Sequence, residues 1–446
     1  MRDMRVQTVA ALLLLASSHV QALNLDTGIS VGMRYTDNAA LRSSNEEDDW
    51  IATATVGASL IDDTGPFTAS ASGSLSHLNY LNDTFGDQDY MSLGAVAAWE
   101  QIAGSLVWNA RDYYGQTSVN SLGAVTPSNV QNTNVFSVGP DFLFMLSPRN
   151  QVNLGLEFLD FYYEDSNADN QQYALTTGWL YQMYPTMAVG LSGGVRDVSY
   201  DDNPDYTSTN LGFVLNGSRP RSTYTVNLGA RHIDRDGFDN QDGFSGSIDW
   251  LYDMTGKSSV RAYLSSDITD SSGGLYNSLV DPDTGNPANV QTSGDVLTSN
   301  IARLTYSRVD SALNSRVWAE LRDLDYDDSP NDRDVQEFGA LMNYQLSSLI
   351  TTGLRGNYIR RKEHSPKRTD KEYFLAGTMG YNLSRKLSCN FELRYQKRDS
   401  TRSLSEYDEV SAFAGLSYGL GGQRSGGSVG SSISGRRSYG GMGSSF

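Results

Sequence analysis

Leu25, Thr27, Ile29, Val31, Met33 and Tyr35 alternate with Asp26, Gly28, Ser30, Gly32, Arg34 and Thr36, so an extended segment here has one largely apolar face and one polar face. The pattern recurs along the chain. Ala52, Ala54, Val56 and Ala58 repeat it within 50–60, Val138, Phe142 and Phe144 within 136–146, and Cys389, Phe391 and Leu393 within 387–395. Each run has roughly the 9–11 residues that a tilted strand needs to cross the hydrocarbon of a membrane. Beyond residue 22 no apolar stretch is long enough to cross as a helix, and no stretch has helical periodicity. A mean hydropathy of −0.42 would by itself suggest a soluble protein. Only 19% of the residues are charged, however, while Gly (43) and Tyr (26) are abundant, which is the composition of strands with lipid on one side and water on the other. The expected fold is all-β, a single antiparallel transmembrane β-barrel.

Twenty strands are expected, near residues 24–36, 50–60, 67–80, 90–99, 104–114, 134–146, 151–162, 172–182, 187–200, 206–215, 222–232, 243–252, 258–265, 297–308, 315–325, 335–346, 350–360, 371–383, 386–396 and 407–420. Eighteen, one hairpin fewer, is the alternative. The links support an even count, because outer-membrane barrels have short periplasmic turns and longer extracellular loops. After even-numbered strands come turn sequences such as Asp62-Asp63-Thr64-Gly65-Pro66, Tyr184-Pro185-Thr186 and Asn216-Gly217-Ser218. After odd-numbered strands come longer polar links, 37–49, 116–133 and 266–296 among them. This parity places both ends of the barrel in the periplasm. Aromatic residues fall beside the links, as they do where strands cross the membrane interfaces. Trp99, Tyr181, Tyr252, Tyr306, Tyr344, Tyr381 and Tyr418 mark the periplasmic girdle, and Tyr35, Tyr80, Tyr113, Tyr200, Tyr326, Tyr358 and Tyr395 the outer one.

At the N-terminus, Arg2 and Arg5 precede an apolar run over 6–16, and Val20-Gln21-Ala22 supplies a signal-peptidase pattern. Residues 1–22 therefore read as a cleaved signal peptide, 23–420 as the barrel, and the Gly/Ser-rich stretch 421–446 as a flexible tail ending in Phe446. Two strand ends resemble each other, Arg196-Asp197-Val198-Ser199-Tyr200-Asp201-Asp202-Asn203-Pro204 and Arg322-Asp323-Leu324-Asp325-Tyr326-Asp327-Asp328-Ser329-Pro330, as hairpin duplication would produce.

The residues most suggestive of function are Arg34, Arg111, Arg196, Arg231, Arg261, Arg316, Arg322, Arg355 and Arg394, all on the polar face of odd-numbered strands. A guanidinium facing lipid at the bilayer midplane would cost about 2–4 kcal/mol, so these side chains belong in the lumen whatever they do there. Two uses are open: carboxylate networks with Glu157, Glu320 and Glu392, or a basic constriction for an anionic solute or sugar polymer. Acidic loops, such as Glu46-Glu47-Asp48-Asp49, contrast with a basic ninth loop over 360–368. Asp281-Pro282-Asp283-Thr284-Gly285-Asn286 lacks the spacing and the closing glutamate of a calcium loop.

Catalysis and cofactors find little support. His77, His232 and His364 sit in no Ser-His-acid or metal-ligand spacing, so neither an enzyme, a metal site nor a cofactor is expected. Cys389 is the single cysteine, which excludes an internal disulfide and argues against structural zinc. A net charge of −18 argues against nucleic acid as a partner.

Val31-Gly32-Met33-Arg34-Tyr35, followed by Thr36-Asp37-Asn38, a polar acidic loop and Trp50, resembles the opening of the putative beta-barrel porin 2 family. The resemblance spans the mature chain as architecture, although the tail after Leu420 departs from an ending at the final strand. It implies an outer-membrane component of exopolysaccharide synthesis or export, and no catalytic residues. Lipopolysaccharide, a polysaccharide cargo and a periplasmic export protein are the partners it suggests. A diffusion porin for small solutes and a structural or adhesive surface barrel are the alternatives; a large inward-folded loop, with 266–296 the candidate, would favour the porin.

Overall fold

The computed structural model describes residues 24–280, 294–327, 329–365 and 367–420. The signal sequence, the acidic stretch 281–286 and the tail with Phe446 lie outside these residues. The strands are β1 (Asn24–Thr36), β2 (Asp49–Asp62), β3 (Phe67–Tyr80), β4 (Gln88–Ile102), β5 (Leu106–Ser118), β6 (Val130–Ser147), β7 (Asn150–Tyr163), β8 (Asn170–Tyr184), β9 (Met187–Tyr200) and β10 (Tyr206–Arg219). They continue as β11 (Ser222–Arg235), β12 (Gln241–Thr255), β13 (Ser258–Asp270), β14 (Val296–Val309), β15 (Leu313–Tyr326), β16 (Arg333–Gln345), β17 (Ile350–Glu363), β18 (Arg368–Asn382), β19 (Leu387–Ser400) and β20 (Tyr407–Gly419). A helix, α1 (Ser271–Val280), follows β13.

Every strand pairs antiparallel with its neighbours in sequence, and β20 pairs with β1 from Gly28↔Gly419 to Thr36↔Ser411, so the twenty-stranded sheet closes without an edge. An edge strand in hydrocarbon would leave a row of unpaired backbone groups, which is why strands cross a membrane only as closed barrels. The count is twenty, not eighteen, and all links after even-numbered strands are short, as at 185–186 and 220–221.

Alternation sorts the side chains. Val31, Val56, Leu75, Leu211, Leu321 and Leu393 stand on the outer face with 54–70% exposure, far more apolar surface than a water-soluble protein leaves open. No described helix is long and apolar enough to cross a membrane, whereas a closed sheet with an apolar outer face is a structure that can. At the turn end, Trp99, Tyr181, Tyr252, Tyr306, Tyr344, Tyr381 and Tyr418 share the outward face, with Trp179 and Trp250 stacked beside Tyr181 and Tyr252.

The loop-end girdle differs from expectation. Tyr35, Tyr358 and Tyr395 face outward, but Tyr80, Tyr113, Tyr200 and Tyr326 have the opposite parity and point into the lumen, where Tyr80, Tyr200 and Tyr326 are buried. Nearness to a loop does not decide which face a side chain occupies; strand parity does. Outward aromatics at the starts of the following strands complete the ring, with Trp50 against Tyr35, Tyr173 against Phe158 and Tyr373 against Tyr358, ring centroids 5.1–5.2 Å apart.

Several strands also run further at the loop end than alternation predicts. β13 reaches Asp270, β6 begins at Val130 and β17 extends to Glu363. Beyond the lipid, pairing continues without an apolar face to reveal it. The basic stretch 360–368 is accordingly no free loop, since most of it belongs to β17 and β18.

The β6–β7 ladder skips Gly139 and Pro140, and the Leu156 carbonyl lies where a Cβ on Gly139 would stand. Proline supplies no N–H to the ladder, so the strands close up over the glycine instead. Gly139→Val should lower the stability of the folded barrel by about 1–3 kcal/mol or more through this overlap. The fraction showing heat-modifiable electrophoretic mobility after refolding would fall; wild-type refolding would show that the close approach is dispensable.

Candidate functional site

The lumen is built from the inward residues of all the strands, and its charges are organised in pairs. Arg34 lies 2.9 Å from Glu392 and over the ring of Phe413. Arg261 reaches Asp249 at 2.8 Å, Arg322 reaches Glu320 at 2.5 Å and Arg394 reaches Glu409 at 2.8 Å. Arg303, on an even-numbered strand, also contacts Glu320, which is almost fully buried between two guanidinium groups. Arg196 donates to Gln172 at 3.0 Å, Arg355 sits over the ring of Phe374, and Arg316 faces the same lumen from β15. The wall is therefore of mixed sign. The partly exposed pairs, Arg34 with Glu392 and Arg261 with Asp249, contribute about 1 kcal/mol or less each to stability, and their larger effect is on the potential that a passing solute meets.

Two segments fold into the loop end of this lumen. The first is the far half of the β13–β14 hairpin with α1. β12 and β13 stop pairing at Gly246↔Ser266 although both strands continue, while Asp267–Asp270 stays paired with β14. The freed stretch bends inward. Ile268 lies across the position a side chain on Gly243 would fill and packs with Val198, Tyr200, Tyr206, Ile233 and Val296. Arg231 donates to the Ile268 carbonyl at 2.7 Å and pairs with Asp267 at 3.1 Å, which satisfies a backbone group that has lost its β12 partner. Tyr200 donates to Asp270 at 2.5 Å, and Asn170 donates to Ser272 at 2.8 Å.

The helix is thereby set against β6 and β7, where Leu275 is buried among Val135, Leu159, Phe161, Tyr163 and Ala168. Tyr276 links the apolar contact to the charged wall, donating to Glu157 at 2.8 Å and accepting from Arg111 at 2.9 Å. Burial, with the Glu157 charge beside it, pushes the Tyr276 hydroxyl up to about 12, so it remains a donor at neutral pH.

The second segment, 119–129 between β5 and β6, reaches across to β16, β18 and β19. Asn120 and Asn129 brace it internally: Asn129 Nδ2 donates to the carbonyls of Asn120 and Ala124, both at 2.9 Å. Its tip is then gripped by three arginines. Arg333 donates to Ser121 Oγ at 3.2 Å, Arg368 to the Leu122 carbonyl at 3.1 Å, and Arg398 to the carbonyls of Leu122 and Gly123 at 3.0 and 3.1 Å. Asp370 holds Arg368 at 2.7 Å, and Glu372 holds both Arg361 and Arg398 at 2.5 Å. Asp370 balances Arg368 and Glu372 is shared by Arg361 and Arg398, and further N–H groups of Arg368 and Arg398 are left for the loop.

Sequence reasoning placed Arg34, Arg111, Arg196, Arg231, Arg261, Arg316, Arg322, Arg355 and Arg394 on the lumen face, and all nine face it. It missed Arg333, Arg361, Arg368 and Arg398. Arg398 lay outside the expected strand and Arg361 in what read as an exposed loop, although extending the alternation of β17 and β19 by one turn of the pleat would have found both.

Residues 331–419, which form β16 to β20 and carry the arginines that hold the crossing loop, match the putative beta-barrel porin 2 family. The chain is a closed antiparallel β-barrel whose last five strands are similar to that family. No curated protein sequence matches it. Among solved structures it is similar to the FrpB iron transporter of Neisseria meningitidis (F5-1 variant), at 9% identity over 91% of this chain and 84% of that one with a TM-score of 0.48. It is also similar to a mutant of the ferric enterobactin receptor PfeA of Pseudomonas aeruginosa, at 8% identity over 89% and 80% with a TM-score of 0.49. A loop-deletion mutant of OmpT, an outer membrane protein of Vibrio cholerae, aligns at 10% identity over 90% and 100% with a TM-score of 0.35.

Replacing Arg368 and Arg398 by Gln should free the tip of the 119–129 loop and raise single-channel conductance in planar bilayers. Arg368→Gln alone leaves the buried Asp370 uncompensated, a loss of about 3–5 kcal/mol that a second change, Asp370→Asn, should largely restore. Conductance unchanged in the double Arg variant would show that the loop does not narrow the path.

Proposed function

We propose that this protein is a selective channel for small polar solutes in the bacterial outer membrane, with its turns and both barrel ends in the periplasm. The observation that carries this reading is the pair of inward-folded segments, 119–129 and the β13–α1 stretch, fastened to the wall of a barrel that would otherwise be wide. Barrels of 16–18 strands already enclose an aqueous channel, so twenty leave room for the segments and a path beside them. Side chains of both signs along the wall suit neutral or zwitterionic solutes better than a single ionic class. Trp318, Phe374 and Phe413 add inward aromatic surface among the arginines, as a path for sugars would need.

No step of this function requires catalysis or a cofactor. The histidines pair individually with aspartates, His77 with Asp89, His232 with Asp242 and His364 with Asp334, at 2.7–3.1 Å and well exposed. Lipopolysaccharide around the loop end is the expected lipid partner.

Export of exopolysaccharide is the second reading, supported by the family match over β16 to β20 and by the width of the barrel. A polymer would require the 119–129 loop to leave its arginine anchors, and a periplasmic export protein would then be the partner that drives or recognises that state.

Swelling of liposomes that contain the purified barrel separates the two. Monosaccharides and amino acids should enter readily and long oligosaccharides should not, until Arg368 and Arg398 are replaced. A barrel closed to every small solute, together with loss of secreted polysaccharide in a deletion strain, would overturn the small-solute reading in favour of export.

A further inference from the structure

The inward bend of the β13–β14 hairpin has a counterpart on the outside of the barrel. Where β13 leaves β12, the lipid-facing surface sinks into a depression of about 600 Å³. Its lower wall is apolar, made by Leu228, Phe244, Ile248, Leu264, Ala302 and Leu321. The first two and Leu264 and Leu321 are 44–54% exposed, so the hollow opens directly onto the apolar belt. Toward the loop end the lining becomes polar, with Ser266, Asn300, Gln336, Asp323 and Asp334. The division follows strand position: on β15, Leu321 precedes Asp323 on one face, and on β14, Ala302 faces the belt one outward step below Asn300.

We propose that this depression is a binding site for a single amphiphile that enters from the lipid-facing surface, with its alkyl chain against the apolar wall and an uncharged, hydroxyl-bearing head at the polar rim. The occupant follows from three properties of the site. It is continuous with the lipid-facing surface, so an alkyl chain enters without crossing water. The rim supplies amide and hydroxyl groups, with Asn300 Nδ2 donating to Asp323 at 3.3 Å and Arg360 donating to Gln336 at 3.5 Å. The rim's charges nearly cancel, Asp323 and Asp334 standing against Lys362, 3.7 Å from Asp334, and Arg360 on Gln336, which favours an uncharged head over an anionic one. The seam also explains why the hollow sits at this height. Unpaired backbone on β12 is too costly in hydrocarbon, so the strands can part only where the belt gives way to polar surroundings.

The test is photolabelling of the full barrel in phosphatidylcholine nanodiscs with a diazirine-bearing alkyl glycoside. Labelling within 241–252 and 296–309 should saturate and be displaced by excess unlabelled glycoside. Ala302→Trp, a lipid-facing change that fills the floor, should weaken it about tenfold, equivalent to about 1.4 kcal/mol. Heat-modifiable mobility would confirm that this variant is folded, and Leu354→Trp, elsewhere on the belt, should leave labelling unchanged. Uniform, non-saturable labelling around the belt, insensitivity to Ala302→Trp, or stronger saturable labelling by a diazirine fatty acid would each overturn the proposal.

Discussion

The ladder between β1 and β20 is the constraint on which the rest of the structure depends. A peptide group without a hydrogen-bond partner costs several kcal/mol in hydrocarbon, so a sheet whose outer face is as apolar as this one is tenable there only when closed. Closure then assigns every residue a side. The pleat repeats every two residues, and a slip of one would turn Arg34, Arg261 and Arg394 to the lipid and Val31, Leu264 and Leu393 to the water. Lumen chemistry and membrane anchoring are thus two faces of one register.

Within the lumen, burial separates two kinds of ion pair. Arg34 with Glu392 and Arg261 with Asp249 remain partly in water, and water screens them. Arg368 with Asp370, and Arg398 with Glu372, are nearly dry on the arginine side, and the carboxylates there keep a guanidinium tolerable while its other N–H groups bond to the Leu122 and Gly123 carbonyls. Removing either charge from such a pair exposes the other to an environment that cannot solvate it. The same residue type therefore lines the path in one place and fastens a loop in another.

Strand positions were legible in the sequence wherever lipid demands an apolar residue at every second place, as in β1, β3 and β9, whose limits were read correctly at both ends. Legibility failed where the lipid ends. The tops of β5 and β13 pair in water and carry no apolar alternation, so their inward residues, Thr117 and Asp270 among them, could not be distinguished from loop. Tyr200 and Tyr326 show the same limit, because a tyrosine beside a loop suits an interface girdle and a buried lumen contact equally well. The crossing of 119–129 could not be read at all, since it depends on residues more than two hundred positions away that become neighbours only through the circular order of the strands.

Those separations bear on how the molecule is made. Ser121, Leu122 and Gly123 contact Arg333, Arg368 and Arg398 across 212 to 276 residues of chain. Bringing such distant points together in an open chain would cost on the order of 5 kcal/mol in loop entropy. Once β16 to β20 have joined β1, the anchors already stand opposite the loop and that cost has been met by the barrel itself. The mouth can therefore narrow only once the last strands are in place, so that closing the barrel and guarding its lumen become one event.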